Sequence, residues 1–199
     1  PELVSKFGIQ LMKGLQKGGM LATAKHFPGH GDTETDSHSS LAMIPSNSIR
    51  LWETELRPFK SMIDHSVDAI MVAHIHAPDY QNDSERPASM SSFWIKDILK
   101  SRMNFKGTVV TDAMEMGGIV KNYSDDFALI ETIKAGANVI IQNHNLKRSI
   151  DVVEQAVING DEDVKIGGPG TRNVKSPTQL KILIESLQYF SPNKNLLIS

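Results

Sequence analysis

The amino-acid sequence predicts an α/β fold built on a parallel sheet, and three observations lead to this prediction. Amphipathic helical segments alternate along the chain with short, continuous apolar runs. Such runs are typical of parallel strands that are buried on both faces. Polar residues follow each run directly, as expected at the carboxyl edge of a parallel sheet, where ligands bind. Two architectures fit this alternation, a doubly wound sheet and a (β/α)8 barrel.

The first two helix–strand units come before residue 75. A helix over 3–17 ends at Gly18, and a buried strand over 20–24 follows it. The second unit is a helix over 48–65 and a strand over 68–74. The apolar residues at helical spacing in these two helices are Leu3, Phe7, Leu11, Met12 and Leu15, and Trp52, Leu56, Phe59 and Ile63.

The next units continue the alternation. Ser91 and Ser124 each precede a helical pattern and are predicted N-caps. Asp125 and Asp126 favour a helix after Ser124, because acidic residues stabilise a first helical turn. The remaining predicted elements are a polar loop over 76–90, helices over 91–103, 124–135 and 147–159, and strands over 106–112 and 136–142.

Composition and charge exclude several classes of function. The net charge of −2 gives no electrostatic support for binding nucleic acid or an anionic membrane. No apolar run approaches the roughly 20 residues of a membrane span, and no signal-peptide pattern is present. The chain has no cysteine, which excludes disulfides and thiolate chemistry. The compartment stays open. We predict one domain over 1–160, followed over 161–199 by a linker and a helical pattern at 178–190 whose role is unknown.

Residues 25–38, KHFPGHGDTETDSH, concentrate titratable groups and allow three interpretations: a metal site, a phosphate-binding loop or a proton-transfer loop. Phe27, Pro28 and Gly29 prevent the helix that would bring two histidines at i and i+4 together. The segment also lacks the glycine, lysine and hydroxyl pattern of a P-loop. We therefore predict no metal. The candidate metal donors would have been His26, His30, Asp32, Asp36 and His38.

The proton-transfer interpretation depends on Asp36 and His38, which one residue separates. A carboxylate beside an imidazole can fix its tautomer and raise its pKa, which makes His38 a usable general acid near neutral pH. Asp112 ends a predicted strand, where it could be a nucleophile, a helix N-cap or a partner of Lys25. We expect His74 to form the pocket wall or support it, and Met114 to line the pocket or pack in the core.

Four segments together resemble glycoside hydrolase family 3, and specifically its β-N-acetylglucosaminidase branch. They are KHFPGHGDTETDSH, AIMVAHI, RPASMS and VVTDAMEM. The resemblance extends from the first helix to about Gly160. It implies a (β/α)8 TIM-barrel type, with this chain similar to about strands 5 to 8, the C-terminal half. It implies a glycosidase without a cofactor that removes terminal β-linked N-acetylglucosamine with retention of configuration.

The resemblance also implies a role for each matching residue. Asp112 matches the catalytic nucleophile, His38 the general acid/base and Asp36 its dyad partner. Lys25 and His26 match the pair that binds sugar hydroxyls. His30 and Asp32 match positions that support the loop.

Other functions remain open beside this one. A family 3 β-glucosidase is disfavoured by Asp36 and His38, which those relatives lack. A phosphorylase of the same family and an inactive, sugar-binding remnant are the other two. The expected partners are a carbohydrate from cell wall or chitin, as in peptidoglycan recycling, and an N-terminal half-barrel in a longer parent protein. The exact glycan is not predicted.

Overall fold

The computed structural model describes residues 1–31, 42–43, 48–77, 80, 86–141, 145–161, 164 and 196–198. It confirms the predicted α/β class, because helices alternate with strands that form a mainly parallel sheet. The strands are β1 (Thr23–Phe27), β2 (Ala42–Met43), β3 (Ala69–Val72), β4 (Ile75–His76), β5 (Thr108–Thr111), β6 (Val139–Ile141) and β7 (Leu196–Ile198).

The main sheet has the strand order β1-β3-β5-β6-β7. In this sheet β1, β3, β5 and β6 are parallel and follow chain order, which is the arrangement of successive strands in a (β/α) barrel. β7 pairs antiparallel with β6, and β2 and β4 form a separate parallel pair. The sequence patterns predicted neither of these additions, because the strands concerned have only two or three residues.

The helices lie close to their predicted positions. They are α1 (Glu2–Lys17), α2 (Ser48–Arg50), a π-helical turn (Leu51–Glu55), α3 (Leu56–Asp64), a 3-10 turn (Ala88–Met90), a π-helix (Phe93–Arg102), α4 (Gly117–Val120), α5 (Asp125–Ala135) and α6 (Leu146–Ile158). Ser124 caps α5 as predicted, since its hydroxyl accepts from the Phe127 N–H at 3.4 Å. Ser91 has the extended backbone of an N-cap, and its carbonyl accepts from the Ile95 N–H at the beginning of the next helix.

A buried aromatic cluster fixes the end of β1. Phe27 is fully buried, and its ring lies edge-on to Phe59 of α3 and to Trp94 of the π-helix, with centroid distances of 5.4 and 6.0 Å. Such edge-to-face pairs add to the stabilisation from apolar burial. The cluster therefore attaches the last residue of β1 to two different helices and sets the position of His26, its neighbour in the strand.

The strand predicted over 20–24 lies about three residues later in the chain, at Thr23–Phe27. β1 extends to Phe27 because Ala24 pairs with Ile70 and Phe27 pairs with Val72 across β3. Lys25 and His26 consequently lie in the strand, and the predicted loop begins after them. The burial of Phe27 outweighs the polar character of its neighbours.

The apolar residues of α1 are divided between two faces. Met12 is buried against the core, whereas Leu3, Phe7 and Leu11 are 66%, 66% and 67% exposed. The helix packs on α3 through its other side. Helical spacing therefore predicted the helix correctly but not which apolar residues are buried. None of the helices in the described part of the chain is both long and apolar enough for a membrane span.

Candidate active site

The candidate site lies at the carboxyl edge of the sheet, where β1, β3 and β5 end side by side. His26 belongs to β1, His74 follows β3 and Asp112 follows β5. Because these strands are parallel neighbours, the predicted gathering of their polar groups at one edge is confirmed for these three residues. The polar residues after β6, at 142–144, lie outside the described residues.

Backbone groups hold Asp112 in place. Its N–H donates to the Val72 carbonyl of β3 at 2.9 Å, and its Oδ1 accepts from the Ala113 N–H at 2.8 Å. Its Oδ2 lies 3.6 Å from His26 Nε2. The carboxylate is 19% exposed, so a ligand can reach it. Asp112 caps no helix, since Met116 holds the N-cap position of α4.

Lys25 and His26 lie in β1, which β3 separates from β5, the strand before Asp112. The His26 side chain is 29% exposed and its ring lies edge-on to that of His30, with 5.9 Å between centroids. Among the described residues, no ion pair joins Lys25 to Asp112. The Lys25–His26 and Phe27–Pro28 peptide bonds are both cis.

A groove of about 900 Å³ begins at these residues and runs between β1, α1 and α3. Lys25, His26 and His30 line its polar end, and Leu11 and Met12 line its apolar end. β3 is the only strand that pairs with β1 among the described residues, so the other edge of β1 has no neighbouring strand there. The candidate sugar-binding pair is thus continuous with a largely apolar surface.

His74 and Met114, expected in the pocket wall, are both buried next to Asp112. His74 Nε2 lies 2.9 Å from the Ala113 carbonyl oxygen, and its Nδ1 lies 2.7 Å from Ser89 Oγ. Burial lowers the pKa of His74, against smaller raising effects of the Ala113 carbonyl and the Asp112 charge. The Met114 sulfur lies 4.0 Å from Thr132 Oγ1.

Three residues of the predicted site, Asp32, Asp36 and His38, lie outside the described residues. Their predicted roles, and the metal interpretation of the same segment, stay predictions. In the described ranges, no three His, Asp or Glu side chains are grouped as metal ligands would be. Sequence reasoning missed Ser89 as the partner of His74, although Ser89 lies in the segment RPASMS that carried part of the resemblance.

A comparison of the chain with known protein families identifies one family. The family description "Glycosyl hydrolase family 3 N terminal domain" fits residues 1–167. The chain belongs to glycosyl hydrolase family 3. Its sheet is part of the TIM-type (β/α) barrel of that family, as predicted from the resemblance.

Relatives of known name and structure agree with this family. The chain is 33% identical over 162 residues to a beta-hexosaminidase A of Pseudoalteromonas piscicida, covering 76% of this chain and 27% of that protein. A family 3 beta-N-acetylglucosaminidase structure from Paenibacillus sp. superposes with a TM-score of 0.77 and 34% identity, covering 94% of this chain and 34% of that one. A beta-glucoside phosphorylase superposes with a TM-score of 0.70 and 25% identity, covering 88% and 32%.

The chain therefore spans only part of its relatives. Coverage of the curated relatives runs from 27% to 46% of their length. The matched portion includes Lys25 and His26 in β1 and Asp112 after β5.

Proposed function

We propose that this chain carries the nucleophile and the sugar-binding pair of a retaining β-N-acetylglucosaminidase. The observation that carries the proposal is the position of Asp112. Its carboxylate ends a buried parallel strand, is accessible, and has Oδ2 3.6 Å from His26 Nε2 on another strand of the same sheet. The names of the relatives, beta-hexosaminidase and β-N-acetylglucosaminidase, support the substrate class.

In the first step, an Asp112 oxygen attacks the anomeric carbon and the bond to the leaving-group oxygen breaks. Oδ1 accepts a hydrogen bond from Ala113 N–H, which leaves Oδ2, on the His26 side, as the attacking oxygen. His38, paired with Asp36, donates a proton to the departing oxygen. The product is a covalent glycosyl ester of Asp112.

In the second step, His38 accepts a proton from water, and that water attacks the anomeric carbon. The ester bond breaks, Asp112 is released as a carboxylate, and configuration is retained. Lys25 and His26 bind sugar hydroxyls in both steps. A histidine can fill a role that a second carboxylate fills in most retaining enzymes, because its ordinary pKa is near neutral.

The working enzyme on this proposal includes further barrel strands beyond those in this chain. The edge of β1 that no described strand covers and the exposed apolar residues of α1 fit a neighbouring strand and helix of a larger barrel. The matched segment makes up less than half of the length of these relatives. If these elements are required, the 199-residue chain alone is a sugar-binding remnant without turnover.

A β-glucoside phosphorylase is the second candidate, because one similar structure carries that name. In a phosphorylase, phosphate replaces water as the acceptor in the second step. A histidine acid/base repels an incoming anion less than a carboxylate would, so His38 is compatible with either acceptor.

The test compares an aryl β-N-acetylglucosaminide with the matching β-glucoside, each with and without phosphate. It uses this chain and a longer form that supplies the remaining barrel strands. We expect hydrolysis of the N-acetylglucosaminide only. Asp112→Asn should lower kcat roughly 10³-fold or more, because it removes the nucleophile. His38→Ala should lower it by about 10²–10⁴-fold, and more for leaving groups that need protonation.

The matched control is Asp97→Asn, which makes the same chemical change on the exposed face of the π-helix. Mass spectrometry of a trapped intermediate should place the sugar on the peptide that contains Asp112. A wild-type longer form that cleaves neither substrate, or an Asp112→Asn variant with full activity, contradicts the proposal. Glucoside cleavage that requires phosphate favours the second candidate.

A further inference from the structure

His74 has no solvent exposure and contacts the residue that follows Asp112. Its Nε2 lies 2.9 Å from the Ala113 carbonyl oxygen and its Nδ1 lies 2.7 Å from Ser89 Oγ. A carbonyl oxygen can only accept, so Nε2 carries the proton and the Ser89 hydroxyl donates to Nδ1. In the neutral ring, these two contacts select the Nε2–H tautomer of His74.

The peptide group that His74 contacts is held from both sides. The Ala113 carbonyl accepts from His74, while the N–H of Met114 in the same peptide unit donates to the Ile141 carbonyl of β6 at 2.9 Å. The preceding N–H, that of Ala113, donates to Asp112 Oδ1 at 2.8 Å. The orientation of Ala113 thus sets the direction of the N–H that holds the carboxylate.

Ser89 is itself fixed by the fold. It is buried in the 3-10 turn, and its N–H donates to the Ala73 carbonyl, next to His74 in the chain, at 3.2 Å. Burial also lowers the pKa of His74, which keeps the ring neutral beside Asp112. The imidazole is therefore a fixed donor that contributes no charge to the site.

We propose that His74, oriented by Ser89, is a positioning residue that holds the Asp112 carboxylate in its attacking orientation through the Ala113 carbonyl. The inference rests on the proposed role of Asp112 as the nucleophile. Displacement of a reacting group by about 1 Å can cost about 10²-fold in rate. A buried donor one residue from the nucleophile is a means of preventing such displacement.

Three variants separate the effect of the His74 hydrogen bond from the effect of its side-chain volume. His74→Gln places an amide donor near the position of Nε2. His74→Leu removes the donor and fills a similar volume with an apolar side chain. Ser89→Ala removes the partner of Nδ1. The matched control is Ser149→Ala, which also truncates a buried serine, but on α6, where its hydroxyl contacts the Asn145 carbonyl.

The first measurement does not depend on glycosidase activity. Nitrogen NMR of the His74 ring should show a protonated Nε2 and an unprotonated Nδ1. At constant pH, the carboxyl carbon resonance of Asp112 should move in His74→Leu and stay near its wild-type position in His74→Gln and Ser149→Ala. An unprotonated Nε2, or an Asp112 resonance unmoved by His74→Leu, overturns the inference even if the protein hydrolyses no glycoside. If His74→Leu does not fold, Ser89→Ala must move the resonance, and its failure to do so also overturns it.

The second measurement uses the longer form that supplies the remaining strands. We expect His74→Leu to lower kcat about 10²-fold with KM within about twofold, because the sugar contacts remain. His74→Gln should lose roughly tenfold or less, since it keeps the hydrogen bond. If wild type is active and folded His74→Leu retains its kcat, this inference fails while the proposed function stands. An inactive wild type counts against the proposed function, and the NMR result then decides separately whether His74 orients the Asp112 carboxylate.

Discussion

In the part of the chain that the structure describes, the hydrogen bonds of Asp112 are made with backbone groups. Oδ1 accepts from the Ala113 N–H, the Asp112 N–H donates to the Val72 carbonyl, and Oδ2 lies 3.6 Å from His26 Nε2. A carboxylate paired tightly with a cation would be a weaker nucleophile, because the cation would compete for its charge. This arrangement is consistent with the role proposed for Asp112.

The neutral state of His74 leads to a prediction about stability and pH. Burial lowers the pKa of His74 in the folded protein, while the unfolded chain has the ordinary value of about 6.5. As the pH falls through that value, the unfolded state binds a proton that the folded state does not. Unfolding is therefore favoured by up to about 1.4 kcal/mol per pH unit, and the stabilisation is present above the unfolded pKa. Urea unfolding between pH 7 and pH 5 should show this slope in wild type and a smaller slope in His74→Gln.

The control for this slope is His65→Gln. His65 is exposed, and its Nδ1 contacts the Ser61 carbonyl on the surface of α3. Its replacement should leave the slope close to that of wild type. Equal slopes in wild type and His74→Gln would show that the buried ring is protonated as readily in the folded state as in the unfolded chain.

At the scale of elements, the turn after β1 depends on one glycine. Gly29 has a φ of +135°, and a Cβ placed there would lie 2.7 Å from the Glu55 Cβ. The close approach brings the end of β1 against the π-helical turn that precedes α3. Both the backbone conformation and the space therefore require glycine at this position.

Gly29→Ala should destabilise the protein by about 2 kcal/mol, because it combines backbone strain with overpacking. Gly31→Ala is the matched control. It lies two residues along the same segment, and a Cβ there would meet no atom within 4 Å. Chemical denaturation should separate the two variants, and equal midpoints would mean that the turn adjusts at little cost.

Elements with strong local signals could be predicted from the sequence, and those set by tertiary pairing could not. Ser124 and the acidic residues after it marked the beginning of α5 correctly. The end of β1 at Phe27 depends on pairing with Val72 and on contacts with two helices, and none of these is local in sequence. The bond between Ser89 and His74 likewise joins residues 15 positions apart.

At the scale of the molecule, the sequence predicted more of the candidate site than of the molecular surface. Asp112 and His26 follow from strand-end positions and from the family resemblance. The exposure of Leu3, Phe7 and Leu11 could not be predicted, because helical spacing does not show which neighbours a helix has. These side chains lie along the same helix as the residues that line the groove beside β1.

This surface leads to the final prediction. Exposed apolar patches and unpaired strand edges promote association, so the 199-residue chain alone should self-associate in solution. The double variant Phe7→Lys, Leu11→Lys should reduce this association with little loss of stability, because both side chains are more than half exposed. Ile158→Lys is the control, since it changes an exposed apolar residue at the end of α6.

The same double variant should have the opposite effect in the longer form that supplies the remaining barrel strands. If those strands and their helices cover α1, burying two lysines there should cost several kcal/mol and lower the midpoint of unfolding. Sedimentation velocity of the short chain and denaturation of the longer form measure the two effects. A double variant that leaves the longer form as stable as wild type would show that α1 faces solvent in both, and that the additional strands join the barrel without covering this helix.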